Sequence, residues 1–327
     1  MEVRKLRIAH FGRYAEGDTD IVRSIYLSLK QLGHRVQEWN VGSHPEWVFN
    51  PLKRSGGNGP IYIRLNLIRD RLLQFKPDLI ICNAGGLVFT KKDKKFLESK
   101  GIPVLGIVLS DPDVFPTIQK IANRYTWLTT NSMQAYRQYK RKGINNVHYF
   151  PFGIDQRFLK PRKVYRKYRS DVAVIGHGRP DRMPIAKGLK RHFKTKLFGK
   201  RWPFSKKISP GPVRGEDWFK AAYSTKMLVN FPRTFKGHTN VKIGIFEAAA
   251  TGKLLFTEYF NEMSKLFRYN KEIVGYRNKN DLMRKIRYFL KHPEKAKKIG
   301  QNAKMRVRNE HLWTIKLNKL FKNLGIY

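Results

Sequence analysis

The chain has 327 residues, of which 41% are apolar and 13% aromatic. This composition is typical of a globular protein and excludes a disordered chain. The chain is long enough for two domains with separate cores. The formal net charge is +43. A charge of this size attracts polyanions such as nucleic acid, an anionic membrane face or an anionic polymer. The alternative explanation of the charge is that the base composition of the genome favours lysine codons.

The single cysteine, Cys82, excludes an internal disulfide. It lies in the apolar run "PDLIICN", which is typical of a core residue in a reducing compartment. The start, "MEVRKLRIAHFG", lacks the apolar segment of a signal peptide. No run approaches the roughly 20 apolar residues of a membrane span. We therefore expect a cytoplasmic protein, free or peripheral on the inner membrane face or on a polyanion.

Short apolar runs alternate with amphipathic segments in the first half of the chain. The runs predict strands at 6–12, 34–41, 77–82, 103–111, 123–131 and 147–153. The amphipathic segments predict helices at 21–33, 61–75, 91–101 and 133–143. Alternation of this kind indicates a parallel, doubly wound sheet of the α/β class.

The same alternation restarts after a basic, aperiodic segment. Strands are predicted at 171–177, 195–199, 226–231, 253–258 and 272–277, and helices at 184–193, 216–225, from 245, and through 280–325. The chain would thus form a Rossmann-like domain at 1–155, a linker at 156–170, a second Rossmann-like domain at 171–310, and a helix at 311–327 returning to the first. Two such domains would face each other across a cleft, with ligands outside the carboxyl ends of the strands.

The segment "DVAVIGHGRPDR" (171–182) runs from a buried strand through Gly176 and Gly178 into a helix. Glycines permit close backbone approach, and a helix N-terminus with Arg179 and Arg182 suits phosphate. The segment departs from a dinucleotide-binding fingerprint, because Asp181 occupies the position of the third glycine. An ordinary strand-to-helix turn in a basic chain is the alternative interpretation.

The segment "GHTNVKIGIFEAAATG" (237–252) places Glu247 among apolar and small residues. Such a carboxylate could accept two hydrogen bonds from a vicinal diol such as ribose, with Lys242 near a phosphate. Its loop also contains Thr239 and Asn240. The alternative is that Glu247 lies in a first helical turn and stabilises the helix dipole, worth roughly 0.3–1 kcal/mol.

These motifs resemble the glycosyltransferases of the GT-B fold, and in particular the spore-maturation CgeB-like group. The residues that carry the resemblance are "DVAVIGHGRPDR", "LFGKRW" (197–202), "MLVNF" (227–231), "IFEAAATGKLLFTEYFNEMSKLF" (245–267) and "EIVGYRNKNDLMRKIRYFLKHPEKAKKIG" (272–300). The first half is similar more loosely, at "GIPVLGIVLSDPD" (101–113) and "VHYFPFGID" (147–155). One departure is Gly244, where the group commonly has arginine two residues before the phenylalanine of Phe-Glu.

The resemblance implies a metal-independent hexosyltransferase with no bound cofactor and a nucleotide-diphosphate sugar, most simply a UDP-sugar, as donor. Glu247 would hold the ribose hydroxyls. Diphosphate and loop contacts would come from a set of donor-binding residues: Gly176, Arg179, Arg182, Thr239, Asn240 and Lys242. Fixed cations and helix dipoles would stabilise the charge that develops on the leaving group.

The acceptor is expected on the first domain. The loop "HFGRYAEGD" (10–18) supplies Gly12, Arg13 and Gly17 as acceptor or phosphate contacts. Candidate catalytic bases are Asp18, Asp20 and Asp111, with Asp113 as a further choice; each could equally be a cap or turn residue.

Asp111 and Asp113 also form an Asp-x-Asp pair, which could hold Mn²⁺ or Mg²⁺ in the other large glycosyltransferase fold. The second half has the wrong organisation for that fold, and the nine histidines show no zinc spacing, so we predict no metal site.

The leading hypothesis is a glycosyltransferase acting on an anionic or surface polymer, or on a glycan or protein of the cell or spore envelope. The first alternative is a DNA glycosyltransferase of the same fold. The second alternative is a noncatalytic protein that binds nucleic acid or another polyanion, although the sequence contains no zinc finger and no other familiar nucleic-acid-binding motif.

Overall fold

The computed structural model describes residues 4–14, 20–51, 59–83 and 86–326. They divide into two compact units. Unit 1 comprises the described residues up to 152 together with 313–326, and unit 2 comprises Gly153–Leu312. Throughout the described ranges, no helix combines the length and the apolar character needed to cross a bilayer.

The predicted strands occur in their predicted order, together with three short strands at 48–49, 61–63 and 87–88 that were not predicted. They are β1 (Arg7–Gly12), β2 (Arg35–Asn40), β3 (Val48–Phe49), β4 (Ile61–Ile63), β5 (Leu79–Asn83), β6 (Leu87–Val88), β7 (Val104–Val108), β8 (Trp127–Thr130), β9 (Val147–Tyr149), β10 (Ser170–Ile175), β11 (Thr195–Phe198), β12 (Thr225–Val229), β13 (Leu254–Glu258) and β14 (Val274–Tyr276).

The α-helices occupy the intervening segments. They are α1 (Ile21–Gln31), α2 (Leu65–Phe75), α3 (Lys91–Ser99), α4 (Phe115–Ile118), α5 (Met133–Arg141), α6 (Met183–His192), α7 (Gly215–Tyr223), α8 (Ile243–Ala250), α9 (Asn261–Ser264), α10 (Lys279–Lys291), α11 (Pro293–Glu310) and α12 (Trp313–Asn323).

Unit 1 is built on a parallel sheet of order β2-β1-β5-β7-β8-β9. Consecutive residues of β1 are buried on opposite faces of the sheet. Ile8 packs in the core between the sheet and helices α1 and α12, and Ala9 packs with Cys82 in the core on the other face. Burial on both faces explains why these strands read as continuous apolar runs. The α/β class and the parallel, doubly wound sheet are confirmed, and Cys82 is a core residue as predicted.

One predicted helix in unit 1 is too long. The segment 61–75 was expected to be helical throughout, but its first residues form β4, and the helix begins at Leu65. Strand β4 pairs antiparallel with β3 and parallel with β6. The pattern Ile61-Tyr62-Ile63 suits a strand as well as a helix, and these partners, distant in the chain, decide the outcome.

Unit 2 has a second parallel sheet of order β11-β10-β12-β13-β14. The order reverses beside β10, so the loops after β10 and β12 begin at neighbouring strand ends. Such a reversal is where ligands bind in open α/β sheets.

The basic segment 156–170, predicted as a linker, packs within unit 2. Phe158 is 2% exposed and lies edge-on to Trp218, and the Tyr165 amide donates to Ser224 Oγ at 2.8 Å. Its aromatic residues give the segment apolar surface to bury despite its charge.

Candidate active site

At the carboxyl edge of the unit 2 sheet, the loop 176–182 after β10 contacts the loop 230–242 after β12. Arg179 joins them: its two terminal nitrogens donate to the carbonyls of Arg233 and Thr234 at 3.1 and 2.8 Å. Asp181 accepts from Arg179 Nε at 3.0 Å. These bonds use most of the Arg179 donors, so this guanidinium fixes the loops.

Arg182 has more of its guanidinium available. One terminal nitrogen donates to the His177 carbonyl at 2.7 Å, and the group lies over the Phe231 ring at 5.1 Å. Arg182 Nε is buried and makes no hydrogen bond to any described residue. Burial, and then the charge of Arg179, lower the pKa of Arg182. A cation held this way is poised to bind an anion at the same edge.

Glycine is needed where loop 176–182 approaches the chain after β11. A Cβ on Gly178 would lie 2.2 Å from the Arg201 carbonyl oxygen. The Gly178 amide donates to the Lys200 carbonyl, and Trp202 Nε1 donates to the Gly176 carbonyl at 2.8 Å. The "LFGKRW" segment therefore braces the loop that carries Arg182.

Glu247 lies on α8, which begins directly after loop 230–242. The run of alanines after Glu247 is buried and lets α8 pack closely on the unit, and the helix stops before Gly252, whose φ is +74°. Glu247 is only 8% exposed, and its carboxylate makes no hydrogen bond or ion pair with any described residue.

The position of Glu247 corrects one interpretation of the sequence. Glu247 is the fifth residue of α8, not part of the first turn, so helix-dipole stabilisation does not explain it. Burial, and then the charge of Asp155, raise the pKa of Glu247 to about 8. Asp155 is itself held by Arg157, whose side chain donates to both Asp155 oxygens at 2.9 and 2.7 Å.

Asn230 lies beside Glu247 at the end of β12. A Cβ on Gly244 would be 3.1 Å from Asn230 Nδ2 and 3.8 Å from Glu247 Oε2, so the amide and the carboxylate flank the same glycine. Asn230 Oδ1 is buried without a hydrogen-bond partner among described residues. Two neighbouring buried polar groups without partners point to a ligand, because buried polar groups are normally hydrogen-bonded.

The remaining residues of the predicted donor set lie on the same loop. Thr239 is exposed and forms an isolated antiparallel β-bridge with Arg233. Asn240 is buried, and its backbone N–H donates to the Pro232 carbonyl. Lys242 immediately precedes α8. The structure thus brings together both predicted motifs at one sheet edge of unit 2.

Comparison with known proteins agrees with this arrangement. The sequence profile of a family described as "Glycosyl transferase-like" matches residues 182–322. The chain is 24% identical over 245 residues to the spore protein CgeB of Bacillus subtilis (strain 168), covering 69% of this chain and 76% of CgeB. The chain is a glycosyltransferase similar to CgeB. The match confirms the resemblance seen in the sequence. It gives no support to the alternative hypothesis of a noncatalytic protein that binds polyanions.

Solved structures establish the fold of this glycosyltransferase. HepE of Anabaena in complex with UDP-glucose superposes with a TM-score of 0.64 at 12% identity, covering 98% of this chain and all of HepE. The sucrose-phosphate synthase of Thermosynechococcus elongatus gives 0.64 at 14% identity, covering 99% and 100%. The fold is the GT-B fold.

Those of the predicted acceptor-side residues that the structure describes are in unit 1. Gly12 ends β1, where a Cβ would lie 2.5 Å from a Val22 methyl group, and Arg13 is exposed just beyond it. Asp20 is the N-cap of α1 and accepts from the amides of Val22 and Arg23 at 3.2 and 3.1 Å. Gly17 and Asp18 lie outside the described residues.

Asp111 is fully buried. Its Oδ2 accepts hydrogen bonds from Thr130 Oγ1 at 2.6 Å and from the Tyr139 hydroxyl at 3.2 Å. Burial raises the pKa of Asp111 to about 6. In the part of the chain that the structure describes, neither Asp111 with Asp113 nor any other group of His, Cys, Asp and Glu gathers three potential metal ligands.

Sequence reasoning missed Asn230 and Asp155 as members of the site. Asn230 was visible as the polar end of the strand "MLVNF", a signal that a buried strand is about to present a side chain at its carboxyl edge. Asp155 gave no such signal, because its influence on Glu247 comes from folding and not from spacing.

Proposed function

We propose that this glycosyltransferase transfers a hexosyl group from a nucleotide-diphosphate sugar, with a UDP-sugar as the first choice. The observation that carries the proposal is the pair of neighbouring polar groups, Glu247 and Asn230 Oδ1, that make no hydrogen bond with a described residue. Arg182 lies on the neighbouring loop of the same sheet edge, over the ring of Phe231. The choice of UDP rests on HepE, a structural neighbour solved with UDP-glucose.

Glu247 is proposed to bind the ribose. Two adjacent hydroxyls can each donate to one carboxylate oxygen, which would satisfy a buried acid that makes no hydrogen bond with any described residue. Asn230 Oδ1 offers a further acceptor next to it. Gly244 leaves this space open where related proteins carry an arginine side chain.

Arg182 is proposed to bind the diphosphate, with Gly176 allowing close approach and Lys242 and the first amides of α8 nearby. The sugar–phosphate bond breaks as negative charge develops on the leaving diphosphate, so cations already in place lower the barrier. Arg179 contributes mainly by fixing the two loops. This scheme assigns to fixed cations the role that a metal ion has in other transferases.

The acceptor is proposed to bind unit 1 near Gly12 and Arg13, with Asp20 or Asp111 as candidate bases and Asp18 as another. An anionic or surface polymer of the envelope is favoured by the net charge of +43. The same charge suits DNA as acceptor, which remains the second candidate.

The donor proposal is tested by nucleotide-dependent thermal stabilisation. We expect UDP at 100 times its Kd to stabilise the protein by about 2.7 kcal/mol, and Glu247→Gln to weaken UDP binding roughly tenfold or more. The matched control is Glu294→Gln, which removes an exposed glutamate from α11 of the same unit. UDP-sugar turnover is then compared among the three proteins.

Two results would contradict this proposal. If inorganic polyphosphate stabilised the protein as well as UDP and lost its effect in salt, the protein would be responding to charge alone. If Glu247→Gln transferred sugar as fast as the wild type with an unchanged donor KM, Glu247 would have no part in donor binding.

A further inference from the structure

A cavity of about 570 Å³ lies in unit 2 at the opposite edge of the sheet from loop 230–242. It opens at the amino ends of β12 and β13, where Lys226 and Lys253 stand, and α10 and α11 complete its walls. Its volume is in the range of small-molecule sites. The donor residues do not line it.

The floor of this cavity is apolar. Tyr223, Met227, Leu254 and Phe289 line it and are nearly buried, with exposed fractions of 7, 1, 1 and 9% respectively, so the wall behind the cavity is aliphatic and aromatic at these positions. A floor of this kind favours carbon chains or rings over a small hydrated ion.

The rim of the cavity is positive. Lys226, Lys253, Lys297 and Lys304 line it, and no aspartate or glutamate does. Lys226 pairs with Asp171 at 2.7 Å, but the other three ammonium groups make no hydrogen bond or ion pair with a described residue.

Two of these lysines are partly desolvated. Burial lowers the pKa of Lys253, and burial and then Arg308 lower the pKa of Lys304. A half-buried ammonium group without a counter-ion carries a desolvation cost that a bound anion would offset. The rim therefore favours a ligand with a negative headgroup over a neutral one.

Exposed apolar side chains lie close along the chain to this cavity. Val164, 51% exposed, follows the lining residue Pro161 by three positions, and Met305, 50% exposed, directly follows Lys304. Basic residues surround both in sequence. Exposed apolar side chains among cations are typical of surfaces that lie against anionic lipid.

We propose that this cavity binds the phosphate group of an anionic lipid, with the lysines around the headgroup and the first carbons of the lipid on the apolar floor. The site would place the amino edge of the unit 2 sheet against an anionic membrane surface. This role is separate from donor binding and does not depend on it.

Vesicle co-sedimentation tests the site directly. The variant Lys253→Gln/Lys304→Gln is compared with Lys92→Gln/Lys95→Gln, which removes the same charge from exposed lysines on α3 of unit 1. We expect phosphatidic acid vesicles to bind the wild type and the control alike, and to bind the cavity variant roughly tenfold more weakly, because charged hydrogen bonds are lost. Lys253→Arg should retain binding. Thermal melting checks that each variant is folded.

Competition identifies the ligand chemistry. Soluble decyl phosphate should displace the wild type from the vesicles, and inorganic phosphate at the same concentration should not.

An equal loss of vesicle affinity in the two double variants would overturn the proposal, since diffuse charge would then explain binding. Competition by inorganic phosphate as strong as by decyl phosphate would also overturn it. UDP-sugar turnover with a soluble acceptor should be unchanged in the cavity variant, which separates this result from the donor proposal.

Discussion

The burial of Glu247 links the stability of the protein to pH. In the folded protein Glu247 holds its proton up to a pKa of about 8, whereas its ordinary pKa is 4.5. Between these values the unfolded chain binds fewer protons than the folded one, so stability falls as pH rises. The full cost approaches 4–5 kcal/mol as an order of magnitude, reached near pH 8.

We predict that Glu247→Gln removes this pH dependence. Urea unfolding at about pH 5 and about pH 8 should show a wild-type free energy that falls more steeply with pH than that of the variant, which is uncharged at both. The variant should be the more stable protein at the higher pH. Parallel pH profiles would mean that Glu247 is solvated enough to ionise normally.

The same residue predicts the pH dependence of donor binding. The ionised carboxylate accepts a hydrogen bond from the ribose diol at each oxygen, whereas the protonated form uses one oxygen as a donor, so we expect the donor to prefer the deprotonated form. The UDP affinity of the wild type should therefore increase as pH rises from about 6 to about 8 and then level off. Isothermal titration calorimetry across this range measures it. An affinity that falls over this interval would contradict ribose binding by Glu247.

Arg179 and Arg182 look equivalent in the sequence but differ in their bonding. Arg179 is committed to Asp181 and two carbonyls, whereas Arg182 Nε has no partner among described residues. We predict that Arg182→Gln weakens UDP binding by roughly tenfold or more with little change in melting temperature, since an interaction with charge is worth about 1.5–3 kcal/mol. Arg179→Gln should instead lower the melting temperature. Calorimetry and thermal melting on both variants separate the roles, and the reverse assignment would refute this one.

At the scale of elements, two glycines allow a matched comparison. Gly178→Ala places a methyl group 2.2 Å from the Arg201 carbonyl oxygen, so loop 176–182 must move and stability should fall by about 1–3 kcal/mol. Gly188 lies inside α6, where an added Cβ finds its nearest neighbour at 3.4 Å. Gly188→Ala should be neutral or stabilising by about 0.5–1 kcal/mol, as alanine favours a helix interior. Chemical denaturation of both variants is the measurement, and equal effects would contradict the proposed contact.

The elements were largely predictable because both sheets are parallel and covered on two faces. The runs Leu79–Cys82 in β5 and Leu254–Phe256 in β13 are apolar throughout, and that pattern can be recognised without knowledge of the pairing partners. Residues 61–63 were not predictable, because β4 depends on β3 and β6, which lie elsewhere in the chain. Within the site, the loop containing Arg182 and the helix containing Glu247 were readable as motifs. The bonding that distinguishes Arg182 from Arg179 is tertiary and left no trace in the spacing.

At the scale of the whole molecule, the charge of +43 and the donor site make different demands. A general positive field attracts any polyanion and weakens as salt screens it. In the proposed scheme, recognition of a nucleotide-diphosphate would depend on a few fixed groups, among them the partly buried Arg182 and the carboxylate of Glu247. The general field would then act on acceptors and surfaces, and the local geometry of unit 2 on the donor.

This division predicts two different salt dependences in one protein. The affinity for duplex DNA should fall steeply as salt rises, with a log–log slope of about −0.9 for each phosphate neutralised. The donor KM should change far less over the same range, because its contacts are few and sheltered from solvent. Fluorescence anisotropy with labelled DNA gives the first slope, donor-dependent turnover the second, and neutral dextran is the polymer control. Parallel slopes would mean that the donor, too, is held by the general field.

Incorporation of labelled sugar into the DNA itself would identify DNA as the acceptor, whereas binding without incorporation would leave the envelope polymer as the better candidate.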